Sequence, residues 1–405
     1  MKKGFLCLLT IASCIVLFSF SCMAAEPIKI GALMSTTGDL AAYGIACNNG
    51  ALLAEQDINA AGGVLGRKIQ IILRDDQTNP IAGVDAAKKL IDIDKVVAIV
   101  GALSSGVTIP VATSVCIPSK IVQISPASTS EKITTLEKHG YLYRTVPMDA
   151  LQAPALAQVL SKDKRFKTVA IIYVNNDYGD GLAKELAEAY EKLGGRVTAL
   201  VPYNNEQASY RGEAEKAIKG NPQAVVMIAY PQFGTVIMRE ILAAGYKGTF
   251  AYSDGMKAPE VAKNVGDQYV EDTYGTVAAN PNLTLADWFA NDYKAKFGEM
   301  PPKPYIDTTY DAVVLISLAM ARGGAATPEA VYKNLREVAG PPGIKVDPSH
   351  LAEAFKLIKE GKKIDYEGAS GSCDFNKYGD VPGNYEVWKF SHGNIETVKY
   401  VTVGK

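Results

Sequence analysis

Histidine is scarce in this chain, and several common catalytic motifs are missing. Only three histidines occur among 405 residues (His139, His350 and His392), so a histidine-rich metal centre is not expected. No Gly-x-x-x-x-Gly-Lys-Ser/Thr sequence is present, which excludes a P-loop, and no Gly-x-Ser-x-Gly turn presents a nucleophilic serine. The 42 basic and 43 acidic residues nearly cancel, whereas nucleic-acid-binding proteins usually carry a basic excess. The sequence therefore indicates no metal, no cofactor and no nucleic-acid partner.

Apolar runs long enough to span a membrane are also missing. The longest, Phe5–Phe20, has 16 residues, follows Lys2 and Lys3, and is followed by small residues up to Ala25. This order is typical of a secretory signal peptide, and we predict export with cleavage near Ala25. An alternative is a lipoprotein signal with Cys22 as the anchor. The segment before it, Ser19–Ser21, argues against this, because it contains the aromatic Phe20 and lacks a leucine.

Cysteines are few beyond residue 25. Cys47 lies in a predicted helix, whereas Cys116 and Cys373 lie in segments that resemble loops. An exported protein meets an oxidising compartment, and an odd count leaves one thiol free. We therefore expect a Cys116–Cys373 disulfide, although sequence alone does not fix the pairing.

What is present is an alternation of apolar strands and helices, repeated in two halves. Strands free of polar residues are typical of parallel sheets covered by helices on both faces. Each half also places a Tyr-Gly pair at the start of its first helix, at Tyr43 and Tyr178. We therefore predict an α/β protein with two similar lobes, and a C-terminal third that packs onto both. The predicted strands are Ile28–Leu33, Ile69–Leu73, Val96–Val100, Ile121–Ile124, Thr168–Val174, Arg196–Val201, Gln223–Ala229, Phe250–Tyr252, Tyr385–Phe390 and Glu396–Val403.

Two serine-rich loops follow neighbouring strands of the first half. They contain Ser104-Ser105 and the segment Ser125–Ser130. Ligands of open α/β sheets bind beyond the carboxyl ends of strands, where helix N-termini also offer free N–H groups. Hydroxyl and N–H groups without a nearby Lys or Arg suit a carboxylate better than a phosphate. Either loop alone also fits an ordinary helix cap, but two adjacent loops favour a binding site.

The second half places aromatic residues and one acid at its strand ends. Tyr178, Tyr230 and Asp254 each follow a predicted strand. A carboxylate among aromatic rings is suited to an ammonium group through charge-assisted hydrogen bonds and cation–π contacts. Asp254 precedes Gly255, so an ordinary turn remains an equal interpretation.

Taken together, these segments resemble the leucine/isoleucine/valine-binding family of periplasmic receptors for ABC importers. The resemblance spans residues 26–405 and implies two Rossmann-like lobes with mostly parallel sheets, joined by three hinge crossings (the type I periplasmic binding protein fold). We accordingly assign residues 26–146 plus 278–368 to lobe 1 and residues 147–277 plus 369–405 to lobe 2. The segments that carry the resemblance are Thr37–Asp39, Ala42–Gly44, Asp57–Gly63, Ile99–Gly101, Ser104-Ser105, Ser125–Thr129, Asp177–Gly179 and Gly368–Gly371.

The resemblance also implies roles for individual residues. Ser105 and Thr129 would hold a ligand carboxylate, and the Ala127 carbonyl and Asp254 would hold its ammonium group. The remaining ligand-binding residues would be Tyr43, Ser128, Tyr178 and Tyr230. Two departures stand out, because the family usually has Glu where Asp254 stands and often a bridged Cys where Ser104 stands.

The resulting expectation is a monomeric, periplasmic, non-enzymatic receptor. It would close on a small amino acid, branched-chain or otherwise aliphatic, and deliver it to a membrane permease. Alternatives are the same fold binding an aromatic carboxylate, an amide or urea, a secreted α/β hydrolase, or the sensory domain of a receptor.

Overall fold

The computed structural model describes residues 25–402, which form two α/β lobes. The predicted signal peptide, residues 1–25, and the alternative lipid anchor Cys22 lie outside the described residues, apart from Ala25 itself. Within the described range, no helix combines the length and the apolar character that a membrane crossing requires.

Lobe 1 is built on a five-stranded parallel sheet with the strand order β2-β1-β3-β4-β5. A small three-stranded sheet, β11-β12-β13, completes the lobe. Its strands are β1 (Ile28–Met34), β2 (Ile69–Asp75), β3 (Ala98–Gly101), β4 (Val122–Ser125), β5 (Leu142–Arg144), β11 (Ile344–Val346), β12 (Ile364–Gly368) and β13 (Gly371–Ser372). Its helices are α1 (Ala41–Ala60), α2 (Pro80–Asp92), α3 (Ser105–Val111), α4 (Glu131–Thr135), α11 (Leu283–Phe297), α12 (Ile306–Gly323), α13 (Pro328–Ala339) and α14 (Leu351–Lys359).

Lobe 2 has a seven-stranded sheet with the order β15-β14-β10-β9-β8-β6-β7, in which β14 is antiparallel to both of its neighbours and every other pair is parallel. The prediction of mostly parallel sheets is therefore confirmed. Its strands are β6 (Thr168–Val174), β7 (Arg196–Tyr203), β8 (Ala224–Ile228), β9 (Thr249–Tyr252), β10 (Tyr274–Ala278), β14 (Asn384–Ser391) and β15 (Asn394–Thr402). Its helices are α5 (Asp149–Gln158), α6 (Asp177–Lys192), α7 (Arg211–Ile218), α8 (Pro231–Ala243), α9 (Pro259–Val265) and α10 (Asp267–Val270).

The chain crosses between the lobes after β5, after β10 and before β14. The third crossing lies beyond Asp380, so residues 369–380, which were assigned to lobe 2, contact lobe 1 in the structure. Two contacts tie the preceding segment to lobe 1: β13 pairs with β12, and the Asp380 carboxylate accepts a 2.8 Å hydrogen bond from Arg144 Nε in β5. The backbone of the glycine-rich segment Gly368–Gly371 pairs β12 with β13.

The predicted Cys116–Cys373 disulfide is not formed. Cys47, Cys116 and Cys373 are all free thiols and all buried. Cys116 packs with Ile99 on the face of the five-stranded sheet that α2 and α3 cover. Cys373 belongs to the larger core, which also contains Val100, whose side chain points to the opposite face of the same strand. The two thiols therefore lie in different hydrophobic clusters.

Candidate ligand-binding site

Loops at the carboxyl ends of strands from both lobes enclose one small cavity. Its volume is about 10 Å³, which is room for roughly one water. Six of the eight residues predicted as ligand-binding line this cavity, whereas Ser128 and Thr129 do not. The lining residues are Leu40, Tyr43, Leu103, Ser105, Ala127, Tyr178, Tyr230, Asp254, Gly255 and Tyr305.

The two serine-rich loops of lobe 1 are locked to each other by hydrogen bonds. Ser105 Oγ accepts a 3.4 Å hydrogen bond from the Ser130 backbone N–H. Ser128 Oγ lies 2.8 Å from Thr108 Oγ1 and also bonds to backbone carbonyls that follow β3. Ser128 therefore fixes the loops and does not face the cavity. Thr129 is buried, and its hydroxyl has no hydrogen-bond partner anywhere in residues 25–402.

Lobe 2 presents a pair of stacked tyrosines beside its acid. The rings of Tyr178 and Tyr230 stack with centroids 5.5 Å apart. The Tyr178 hydroxyl lies 2.7 Å from both Asp254 Oδ1 and Ser253 Oγ. The Tyr230 hydroxyl lies 3.3 Å from Ser104 Oγ of the opposite lobe. Ser104, which stands where the family often has a bridged cysteine, thus serves as a contact between the lobes.

Asp254 is the charged centre of this site. Its side chain is only 3% exposed, and Oδ2 accepts a hydrogen bond from the Tyr305 hydroxyl, while Oδ1 accepts one from Tyr178. Burial raises the pKa of Asp254, and the hydrogen bonds from Tyr305 and Tyr178 oppose that rise. A cation placed against this carboxyl would favour its ionised form.

The repeated Tyr-Gly pair has a packing explanation. A Cβ atom on Gly44 or on Gly179 would lie 2.0 Å from a backbone carbonyl oxygen at the end of the preceding strand. Only glycine allows the first turn of α1 and of α6 to approach the strand end this closely. The adjacent Tyr43 and Tyr178 are thereby carried into the cleft from opposite lobes.

Hydrogen bonds between the lobes show that the cleft is closed. The Tyr43 hydroxyl donates to the Gly255 carbonyl at 2.7 Å, and Ser130 Oγ donates to the Asp177 carbonyl at 2.7 Å. At the rim, Asp39 Oδ1 accepts a 3.4 Å hydrogen bond from a backbone amide in the first turn of α8. Burial raises the pKa of Asp39 to about 7.

Sequence reasoning missed Tyr305. The predicted site residues all come from segments that follow strands, whereas Tyr305 precedes α12 and follows the proline-rich segment 301–304. Its φ of 75° is uncommon for a bulky side chain and places the ring at the cavity, 6.1 Å from the Tyr43 ring. An aromatic residue after a run of prolines was the available signal.

A larger cavity, of about 1060 Å³, lies at the crossings between the lobes. Residues of all three crossings line it, among them Pro147, Pro281 and Pro382. The smaller cavity is the better candidate for a ligand site, because it joins strand-end loops of both lobes around a buried acid and four tyrosines.

Comparison with known proteins identifies the family. Residues 27–350 match the model of a family described as periplasmic binding protein. A leucine-, isoleucine-, valine-, threonine- and alanine-binding protein of Pseudomonas aeruginosa is 31% identical over 349 residues, which cover 83% of this chain and 90% of that protein.

Solved structures agree with the fold. A leucine-binding protein of Thermotoga maritima is 24% identical, with 93% of this chain and 99% of that one covered and a TM-score of 0.78. A solute-binding protein of an ABC transporter from Rhodopseudomonas palustris, in complex with 3,4-dihydroxybenzoic acid, is 19% identical, with coverages of 94% and 98% and a TM-score of 0.74. The chain belongs to the periplasmic binding protein family and has its two-lobe type I fold.

Proposed function

We propose that this protein is a non-enzymatic receptor that closes on a small aliphatic amino acid and delivers it to the permease of an ABC importer. One observation carries the proposal: a buried acid of lobe 2, Asp254, faces hydroxyl and backbone groups of lobe 1, at Ser105 and Ala127, across one enclosed cavity. An α-amino acid has a carboxylate and an ammonium group on one carbon, and these two groups match the chemistry of the two sides, while the cavity, with room for about one water, must widen to admit the ligand.

Each end of the ligand has a suitable partner. Ser105, with the backbone N–H groups of its loop, would hold the carboxylate, and Asp254 and the Ala127 carbonyl would hold the ammonium group. Tyr43 and Tyr178 would frame the side chain. Because these groups belong to different lobes, the ligand stabilises the closed form by touching both at once. The amino acids named for the P. aeruginosa relative support this ligand class.

The remaining parts of the proposal concern partners and place. We propose a monomer that is exported by its signal peptide, cleaved near Ala25, and acts in the periplasm without a cofactor, with a lipid anchor at Cys22 as the alternative.

A hydrolase needs a general base beside a nucleophile. His139, His350 and His392 are all exposed, and none of them lines the cavity.

Calorimetric titration tests the ligand class. Wild-type protein is titrated with L-leucine, L-valine and L-alanine, with the deaminated analogue 4-methylpentanoate, and with 3,4-dihydroxybenzoate. We expect at least one amino acid to bind in preference to the deaminated acid. Asp254→Ala should weaken that binding roughly 10- to 150-fold, because a hydrogen bond to a charged group contributes about 1.5–3 kcal/mol.

The matched control is Asp272→Ala, an acid of the same lobe that pairs with Lys164 at the surface. It should leave affinity unchanged. Unchanged affinity in Asp254→Ala would remove Asp254 from the site. Preference for the aromatic acid would support the alternative receptor, and turnover of a bound ligand would support the hydrolase.

A further inference from the structure

A proline-rich segment of lobe 1, residues 301–305, lies against lobe 2 beside the candidate site. Its sequence is Pro-Pro-Lys-Pro-Tyr, and it connects α11 to α12. Each proline ring fixes φ at about −65°, so this segment has little conformational freedom. It therefore presents the side chains of Lys303 and Tyr305 at a nearly constant spacing.

Both of these side chains bind acids of lobe 2. The Tyr305 hydroxyl donates to Asp254 Oδ2 inside the site. Lys303 Nζ donates to Glu260 Oε1 at 2.6 Å, and Glu260 lies in the first turn of α9. Asp254 and Glu260 both belong to the stretch of lobe 2 that follows β9. Two short segments, one from each lobe, are thus tied together at two points.

Lys303 is also held by its own lobe. Its Nζ atom donates a second hydrogen bond, of 2.7 Å, to the Ala42 carbonyl in α1. Ala42 precedes Tyr43, whose hydroxyl bonds to the Gly255 carbonyl of lobe 2. Because α1 and the proline-rich segment belong to the same lobe, the contact with Ala42 does not depend on closure. The ammonium group is therefore already in position when Glu260 approaches.

Burial makes this ion pair stronger than an ordinary surface pair. The side chain of Lys303 is 14% exposed and that of Glu260 is 37% exposed, whereas Lys132, which pairs with Asp177 across the cleft at 2.6 Å, is 58% exposed. Exposed pairs contribute little because water and salt screen them, and partly buried pairs are screened less. Glu260 Oε2 is buried and has no hydrogen-bond partner among residues 25–402, so Lys303 is the partner on which this carboxylate depends.

We propose that Lys303 is a positioning residue for lobe closure, which binds Glu260 only when the cleft is closed and thereby retains the amino acid held at Asp254. The inference rests on the proposed function, because the retained ligand is the one bound there. A ligand leaves an enclosed cavity only after the lobes part. An interaction that exists only in the closed form therefore slows release of the ligand and leaves its association unchanged.

A double-mutant cycle with L-leucine as the probe tests this assignment. Lys303→Met, Glu260→Gln and the double variant are compared with the wild type by calorimetric titration and by stopped-flow tyrosine fluorescence. We expect each single variant to weaken binding roughly 3- to 10-fold, with an equal rise in the dissociation rate and an unchanged association rate. The double variant should be no weaker than the weaker single variant, because both changes remove the same ion pair.

Glu337→Gln is the matched control. Glu337 pairs with Arg322 within lobe 1, and its side chain is 37% exposed, as is that of Glu260. This variant loses an ion pair of similar exposure, but it should keep the affinity and the dissociation rate of the wild type. A merely structural role of Lys303 would lower the melting temperature without changing the rate of ligand release.

Three results would overturn the assignment. They are a change in affinity smaller than 3-fold in Lys303→Met, effects of the two substitutions that multiply in the double variant, and a loss of affinity that arises from slower association. A wild type that binds none of L-leucine, L-valine and L-alanine would overturn the proposed function, and this inference with it.

Discussion

The hydroxyl of Tyr305 offers the clearest test of what holds the two lobes together. It donates to Asp254 Oδ2 across the cleft, so this hydrogen bond exists only when the lobes are closed. Tyr305→Phe removes the hydroxyl and keeps the ring, including its edge-to-face contact with Tyr43. The change therefore weakens the closed form and leaves each separate lobe almost untouched.

The size of the effect follows from the charge on Asp254. A bound ammonium group favours the ionised carboxylate, and a hydrogen bond to a charged group contributes about 1.5–3 kcal/mol, so affinity for an amino acid should fall roughly 10- to 150-fold. If Asp254 stays protonated, the bond is an ordinary one of about 0.5–1.5 kcal/mol, and the loss is only about 2- to 13-fold. Calorimetric titration with L-leucine at neutral pH distinguishes these two ranges.

Tyr310→Phe is the control for this experiment. The Tyr310 hydroxyl donates to Asp57 at 2.9 Å, an equivalent hydrogen bond to an acid that lies wholly within lobe 1. Its loss should lower the free energy of unfolding by about 1 kcal/mol or more and leave ligand affinity unchanged. The reasoning is refuted if Tyr305→Phe binds within about 2-fold of the wild type, or if Tyr310→Phe weakens binding equally.

Three further predictions concern stability and the thiols. Arg144→Met should lower the free energy of unfolding in urea by up to about 3–5 kcal/mol, because it removes the closer of the two cations that pair with the fully buried Asp380 carboxylate and leaves Lys138 at 3.9 Å. Burial raises the pKa of the Cys116 thiol to about 12, so a thiol reagent at pH 8 should react only after denaturation, and should then find Cys116 and Cys373 both reduced. Asp39→Asn tests the pH dependence of folding: the pKa of Asp39 rises from 3.8 to about 7 on burial, so its ionised form opposes folding. The wild-type free energy of unfolding should therefore fall relative to that of the variant as pH rises from about 4 to 7, by no more than roughly 4 kcal/mol.

The parts of the fold that follow from local sequence were predictable. Strands such as β3 and β8 are buried at every residue, so their apolar runs reveal both the strand and the parallel sheet. Helix α5 was not predicted, because Pro154 lies inside it and a proline normally ends a helix. The short strands β5 and β10 were also missed. Their own sequences do not indicate strands, and pairing with neighbouring strands holds them in the sheets.

Only those residues of the candidate site that follow a strand could be predicted from the sequence. Asp254 and the loop tyrosines follow apolar strands, so a rule about strand ends finds them. Tyr305 follows a proline-rich segment and not a strand, and nothing in the nearby sequence indicates that it approaches Asp254. The distinction between Ser128, which locks the loops, and Thr129, which has a free hydroxyl, likewise depends on side-chain directions that only the folded chain sets.

The distribution of acids in the closed cleft suggests why closure would require a ligand with a positive end. Asp39, Asp149 and Asp254 are all buried there, and burial raises the pKa of each. Closing the lobes without a cation therefore means removing ionised carboxylates from water or taking up protons, and both oppose closure near neutral pH. An ammonium group placed at Asp254 offsets that penalty, whereas the deaminated acid adds a further negative charge. Selection of an amino acid over its deaminated analogue would then arise from closure itself as well as from the direct contacts that the ligand makes.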